Sequence, residues 1–81
     1  MKVRILLFAH LKELAGSDEI EIELVENAKG KDLIEKLAET YPLIAPQKYA
    51  LKLSVDGEYI GNDDALTENS EIAVITPVSG G

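Results

Sequence analysis

The stretch DEIEIELVE, residues 18–26, alternates without a fault, with Ile20, Ile22 and Leu24 on one side and Glu19, Glu21 and Glu23 on the other. A period of two is the signature of a strand, and one apolar face means a sheet covered on one side and wetted on the other. The outward glutamates also discourage pairing with a second sheet edge. The period then changes. In NAKGKDLIEKLAETYP the residues Leu33, Ile34, Leu37, Ala38 and Tyr41 fall at i, i+1, i+4, i+5 and i+8, the stripe of an amphipathic helix, and Pro42 ends it. A helix with one greasy stripe and a sheet with one greasy face bury each other, so the chain reads as α+β.

The flanking segments complete the sheet. In VRILLFA, Val3, Ile5 and Leu7 alternate with Arg4, Leu6 and Phe8, which gives a first strand with apolar residues on both faces. HLKELAG suits a turn of helix stopped by Gly16. Asn27 is the cap expected upstream of the main helix, with Gly30 leaving its start open by a few residues. After the crossover LIAPQKYA, the segment LKLSVDGEYI alternates through Leu51, Leu53 and Val55 to Asp56-Gly57, a strong hairpin signal. The polar loop GNDDALTENSE surrounds Leu66 and holds Asn69, which tolerates the left-handed conformation. EIAVIT supplies the last strand, with Ile72 and Val74 on one face and Ala73 and Ile75 on the other. The order is strand, strand, helix, then two or three strands. With the first and last strands adjacent and parallel in the middle, this is a β-grasp, or ubiquitin-like, roll. Residues 1–81 form one domain, with 77–81 as a flexible tail.

Composition narrows the chemistry. There is no cysteine, hence no disulfide, thiolate nucleophile or cysteine metal ligand in the chain, which fits a reducing, cytoplasmic setting. Any sulfur chemistry needs borrowed sulfur. A net charge of -7, from 15 acidic and 8 basic residues, opposes phosphate backbones and anionic membranes, so neither nucleic acid nor membrane is expected as a partner. No stretch approaches the roughly 20 apolar residues of a membrane span. His10 stands alone, without a second ligand at metal spacing, so no metal site is expected. Asp63 and Asp64 are adjacent but share a polar loop, with nothing to split their pKa values into an acid and a base. GKDL lacks the glycine and Lys-Ser/Thr spacing of a phosphate loop. Ser17, Ser54, Ser70 and Ser79 have no surrounding triad motif.

What is left is the ending, ITPVSGG. Gly80 and Gly81 remove side-chain obstruction around a carboxylate, so an extended Pro77-Val78-Ser79-Gly80-Gly81 could thread a narrow channel and reach roughly 17 Å into another protein. Pro77 cannot donate to a strand ladder and so releases the segment from the sheet. Leu6 or Phe8 and Ile75 have no core role if Val3, Ile5, Leu7, Ile72 and Val74 face the helix. An apolar patch beside such a tail is a docking surface.

Four stretches, ILLFAHLKELAG, DLIEKLAETYP, VDGEY and ITPVSGG, stand in the order and spacing of the molybdopterin synthase small-subunit family, which this chain resembles over nearly its whole length. The resemblance implies a β-grasp sulfur carrier that binds no cofactor by itself. In the implied cycle an ubiquitin-activating-type adenylyltransferase uses ATP and Mg²⁺ to adenylate the Gly81 carboxylate, and a sulfur donor protein turns the adenylate into a thiocarboxylate. Docked on the synthase large subunit, the thiocarboxylate gives sulfur to a cyclic pyranopterin phosphate. The catalytic pocket then lies on the large subunit, and Gly80 provides clearance. Phe8, Tyr59, Ile75, Pro77, Val78 and Ser79 are the expected partner-binding residues, Tyr59 by its place in the family as well as after the turn. The chain departs from the family in its single Pro77 preceded by Ile75 and Thr76, in Lys12 where arginine is frequent, and in Asn69 where glycine is frequent. Two other readings remain open from the residues: a carrier for thiamin synthesis or tRNA thiolation or a lysine-attached modifier, and a binding module whose Gly-Gly ending is incidental.

Overall fold

A computed structural model describes residues 1–76. The elements run β1 (Lys2–Leu7), α1 (Ala9–Ala15), β2 (Glu19–Glu23), α2 (Gly30–Thr40), a 3-10 segment (Ala45–Ala50), β3 (Lys52–Val55), β4 (Glu58–Ile60) and β5 (Glu71–Ile75). Five strands form one mixed sheet in the order β2-β1-β5-β3-β4. The first and last strands are central and parallel, with Ile5 opposite Ile72 and Leu7 opposite Val74. Every other pairing is antiparallel. This is the β-grasp arrangement that the element order implies.

The two periodicities decide what is buried. Val3, Ile5, Leu7, Ile22, Leu53, Ile72 and Val74 line one face of the sheet, and Leu33 and Leu37 of α2 meet them in a core that holds no buried polar side chain among the described residues. Tyr41 packs at its margin. The segment between α2 and β3, read from sequence only as a crossover, coils into the 3-10 segment and delivers Ile44 to the core. α1 ends as its sequence demands, at Gly16 with φ +77° and its N–H on the Lys12 carbonyl.

The start of α2 differs from the sequence expectation. Asn27 does not cap it; Asn27 takes a left-handed turn conformation, φ +66°, and the cap position falls to Lys29. There the Asp32 carboxylate accepts the Lys29 backbone N–H at 2.8 Å. The next donors are taken by a distant loop: Gly30 N–H donates to the Asp64 carbonyl at 3.0 Å and Lys31 N–H to the Asn62 carbonyl at 2.9 Å. In return Leu66 N–H donates to the Ala28 carbonyl at 2.8 Å. The 61–66 loop therefore satisfies the orphan amides of the helix that it abuts.

The turn signals behave as read. Asp56 and Gly57 both have positive φ, +52° and +83°, and close the β3–β4 hairpin; Asn69 is left-handed at φ +64°. Among the described residues no helix is long and apolar enough to cross a membrane.

Candidate functional site

The sheet face turned away from α2 is open to solvent, and the register orders its residues into rows. Leu6 of β1 stands beside Ala73 of β5, Ala73 beside Ser54 of β3, and Ser54 beside Tyr59 of β4. One step toward the end of β5, Ile75 lies opposite Lys52. Phe8 follows β1 at the same end of the sheet, and Ala9, at φ +47°, swings the chain away into α1. The rows thus make an apolar band of Leu6, Ala73 and Ile75 across the centre, flanked by Phe8 on one side and Tyr59 on the other. Phe8 is 52% exposed and Tyr59 73%, values that side chains of this size reach when nothing in the fold covers them.

Two hollows interrupt this surface. Lys52, Tyr59, Ile60 and Ile75 line an open one of about 480 Å³. Phe8 borders another of about 280 Å³ with Leu6 and Lys12. The structure therefore joins Tyr59 to Ile75 directly and sets Phe8 on the opposite flank of the band. Pro77, Val78, Ser79, Gly80 and Gly81, the remaining residues expected at the site, lie outside the described residues.

The far end of the face is charged and internally matched. Arg4 reaches Glu19 at 3.0 Å and Glu71 at 3.1 Å, tying β2, β1 and β5 together at the surface. Lysine-carboxylate pairs occur elsewhere, Lys31 with Asp63 at 3.7 Å and Lys48 with Glu35 at 3.1 Å. The hydrogen bond to Glu35 raises the Lys48 pKa above its ordinary 10.5. Asp63 and Asp64, weighed from sequence as a carboxylate pair, are occupied structurally: Asp64 accepts the Gly61 N–H at 2.6 Å while Asp63 faces Lys31. No group of three or more His, Cys, Asp or Glu side chains that could hold a metal occurs among the described residues.

Sequence reading placed Ala73 with Ile75 on this face but missed Lys52. Lys52 could be found by carrying the alternation of Leu51 and Leu53 one residue over, once β3 and β5 are known to pair. The pairing itself is a long-range fact that no local pattern contains.

The β-grasp fold of this chain is found in known proteins. The model of the ThiS family matches residues 5–81. The chain belongs to the ThiS family. A curated relative, the molybdopterin synthase sulfur carrier subunit of Dictyostelium discoideum, is 43% identical over 96% of this chain and 94% of its own length. Among solved structures, SAMP1 from Haloferax volcanii superposes with a TM-score of 0.86 at 25% identity, each chain covered completely. A complex of subunits 1 and 2 of the molybdopterin-converting factor from Helicobacter pylori contains a chain with the same fold, TM-score 0.68 at 17% identity, covering 100% of this chain and 98% of that one. The ThiS-family match extends through Gly81 and so includes the Gly-Gly ending with the fold.

Proposed function

We propose that this protein is the sulfur carrier subunit of a molybdopterin synthase, working in the cytoplasm, and that its outer sheet face docks the large subunit while the Gly81 carboxylate carries the sulfur. The single observation behind the reading is the 43% identity to a molybdopterin synthase sulfur carrier subunit across almost the whole of both chains. The solved complex of subunits 1 and 2 supports a two-subunit assembly, and the exposed Phe8 and Tyr59 with the half-buried Ile75 give such a partner a surface to cover.

The chemistry follows from the poor electrophilicity of a carboxylate. An oxygen of the Gly81 carboxylate attacks the α-phosphorus of ATP on the activating enzyme, pyrophosphate leaves, and the resulting acyl-adenylate carries AMP as a good leaving group. Sulfide-level sulfur, delivered by the donor as HS⁻, adds at the carbonyl carbon, AMP departs with the C–O bonding pair, and loss of the proton leaves a thiocarboxylate on Gly81. The large subunit then positions the pterin precursor so that this sulfur attacks it, and water hydrolyses the resulting thioester, leaving the sulfur on the pterin and returning the Gly81 carboxylate for another round. This chain needs no acid, base or metal of its own for the cycle. Its contribution is position: a rigid sheet that seats on the partner and a small-residue ending free of side chains near the reacting carbon.

The test combines mass and turnover. Incubated with the activating enzyme, ATP, Mg²⁺ and a sulfide source, the chain should gain about 16 Da, the exchange of one oxygen for sulfur, and should then support pterin product formation by the large subunit. A chain ending at Gly80 places its carboxylate roughly 3.5 Å short, far outside reactive tolerance, and its product formation should collapse. Full turnover by that truncated chain would overturn the assignment. Attachment to lysines, the activity of a modifier, would instead appear as conjugates of higher mass in the same mixture.

A further inference from the structure

We infer that Lys52 is a specificity residue for docking, and that the large-subunit surface facing the hollow between Tyr59 and Ile75 presents an apolar side chain with a carboxylate beside it. The inference rests on the docking reading above and adds the chemistry of the partner. Lys52 lies directly across the strand pair from Ile75 and diagonally from Tyr59, whose row neighbour is Ser54. Its side chain helps line the hollow of about 480 Å³. Among the described residues Arg4, Lys31 and Lys48 each meet a carboxylate, whereas Lys52, like Lys2, Lys12, Lys29 and Lys36, makes no ion pair; of these five it is Lys52 that lines the hollow with Tyr59 and Ile75.

A partner that covers Ile75 and Tyr59 must also approach the ammonium of Lys52. Removing water from an ammonium without offering an acceptor costs more than apolar contact around it returns, so an apolar surface alone would be repelled at this corner. A carboxylate placed there reverses the sign and fixes the register of docking. At the opposite end of the same face Arg4 is matched by both Glu19 and Glu71. The two cations therefore differ: Lys52, at the end where β5 finishes, has no ion pair among the described residues, while Arg4 is held in a matched network.

The experiment measures affinity of the purified large subunit for the wild-type chain and for Lys52→Arg, Lys52→Met, Lys52→Glu and Lys36→Met, the last removing an exposed lysine from α2 as a control. Each variant is first melted to show that it is folded. Lys52→Met should bind about 30-fold more weakly or worse, because it leaves the partner carboxylate unpaired, and Lys52→Glu weaker still. Lys52→Arg should stay close to wild type, as should Lys36→Met. Salt should weaken wild-type binding more steeply than that of Lys52→Met. If Lys52→Met binds as well as wild type or better, the inference is wrong while the docking reading stands. If the wild-type chain does not bind the large subunit, the docking reading fails and this inference with it.

Discussion

At Gly30 a single methyl group has nowhere to go. A Cβ built there would sit 2.6 Å from the Gly61 carbonyl oxygen and 3.2 Å from a methyl of Leu53. The carbonyl belongs to backbone that the loop's own hydrogen bonds hold, so it cannot swing aside as a flexible side chain would. Helix propensity alone predicts that Gly30→Ala stabilises α2 by up to about 1 kcal/mol. Close approach predicts the reverse, and it should win: overpacking against fixed backbone costs about 1 to 3 kcal/mol. Urea unfolding should therefore show a lower midpoint for Gly30→Ala at unchanged slope, and a raised midpoint would show that the loop yields. The same residue explains why the helix start resists sequence reading. A glycine there looks like a weak helix position, whereas its reason for being there is a contact with a residue far along the chain.

At the scale of elements, the joint between α2 and the 61–66 loop adds a set of backbone hydrogen bonds to the burial of Ala28 and Leu66. Asp64 organises it from two sides, its carboxylate on the Gly61 N–H and its own carbonyl receiving the Gly30 N–H. Asp64→Ala should keep the core and loosen the joint. Hydrogen exchange should speed up at the Gly30, Lys31 and Leu66 amides while those of β1 and β5 keep their protection, because local opening need not involve the buried strands. Equal acceleration everywhere would mean that the loop is integral to global stability. The contrast between this joint and the rest of the sheet marks what a sequence can disclose. β2, α2 and the β3–β4 hairpin announce themselves because alternation, a helical stripe and Asp56-Gly57 are local signals. The parallel pairing of β1 with β5 is reachable by topological reasoning, since the connection through α2 permits it. The approach of the 61–66 loop to the start of α2 and the contribution of Lys52 to the outer face depend on partners distant in sequence, and local pattern carries no record of them; the Lys29–Asp32 cap and the 3-10 coil of Ala45–Ala50 are made by local hydrogen bonds. Of the candidate site, Phe8 and Ile75 were legible as apolar residues with no core position to fill and Tyr59 by its place after the turn and in the family, but that Tyr59 and Ile75 share a hollow while Phe8 stands on the other flank follows only from the strand order.

At the scale of the whole molecule the governing quantity is charge. A net -7 sits on a domain with principal extents of 36, 23 and 19 Å. Two like charges about 20 Å apart in water repel by roughly 0.2 kcal/mol, and the many pairs made by the excess carboxylates bring the total to a few kcal/mol at low salt. The unfolded chain spreads the same charges farther apart and feels less of this, so repulsion favours unfolding. Salt acts on both sides of the balance, since it also weakens the ion pairs of Arg4, Lys31 and Lys48. Those pairs lie at or near the surface, where such contacts contribute about 0 to 1 kcal/mol each and the individual loss on screening is smaller still. Screening of the net charge should dominate. Raising sodium chloride from about 0.01 to 0.15 M shortens the Debye length from about 30 to 8 Å, well inside the dimensions of the fold. The expected gain is on the order of 1 kcal/mol, which for a domain of this size raises the melting temperature by about 4 to 8 °C. A scanning calorimetry series in sodium chloride at pH 7 checks the sign: a melting temperature that falls with added salt would show that the surface ion pairs, Arg4 with Glu19 and Glu71 foremost, outweigh the repulsion of the excess carboxylates.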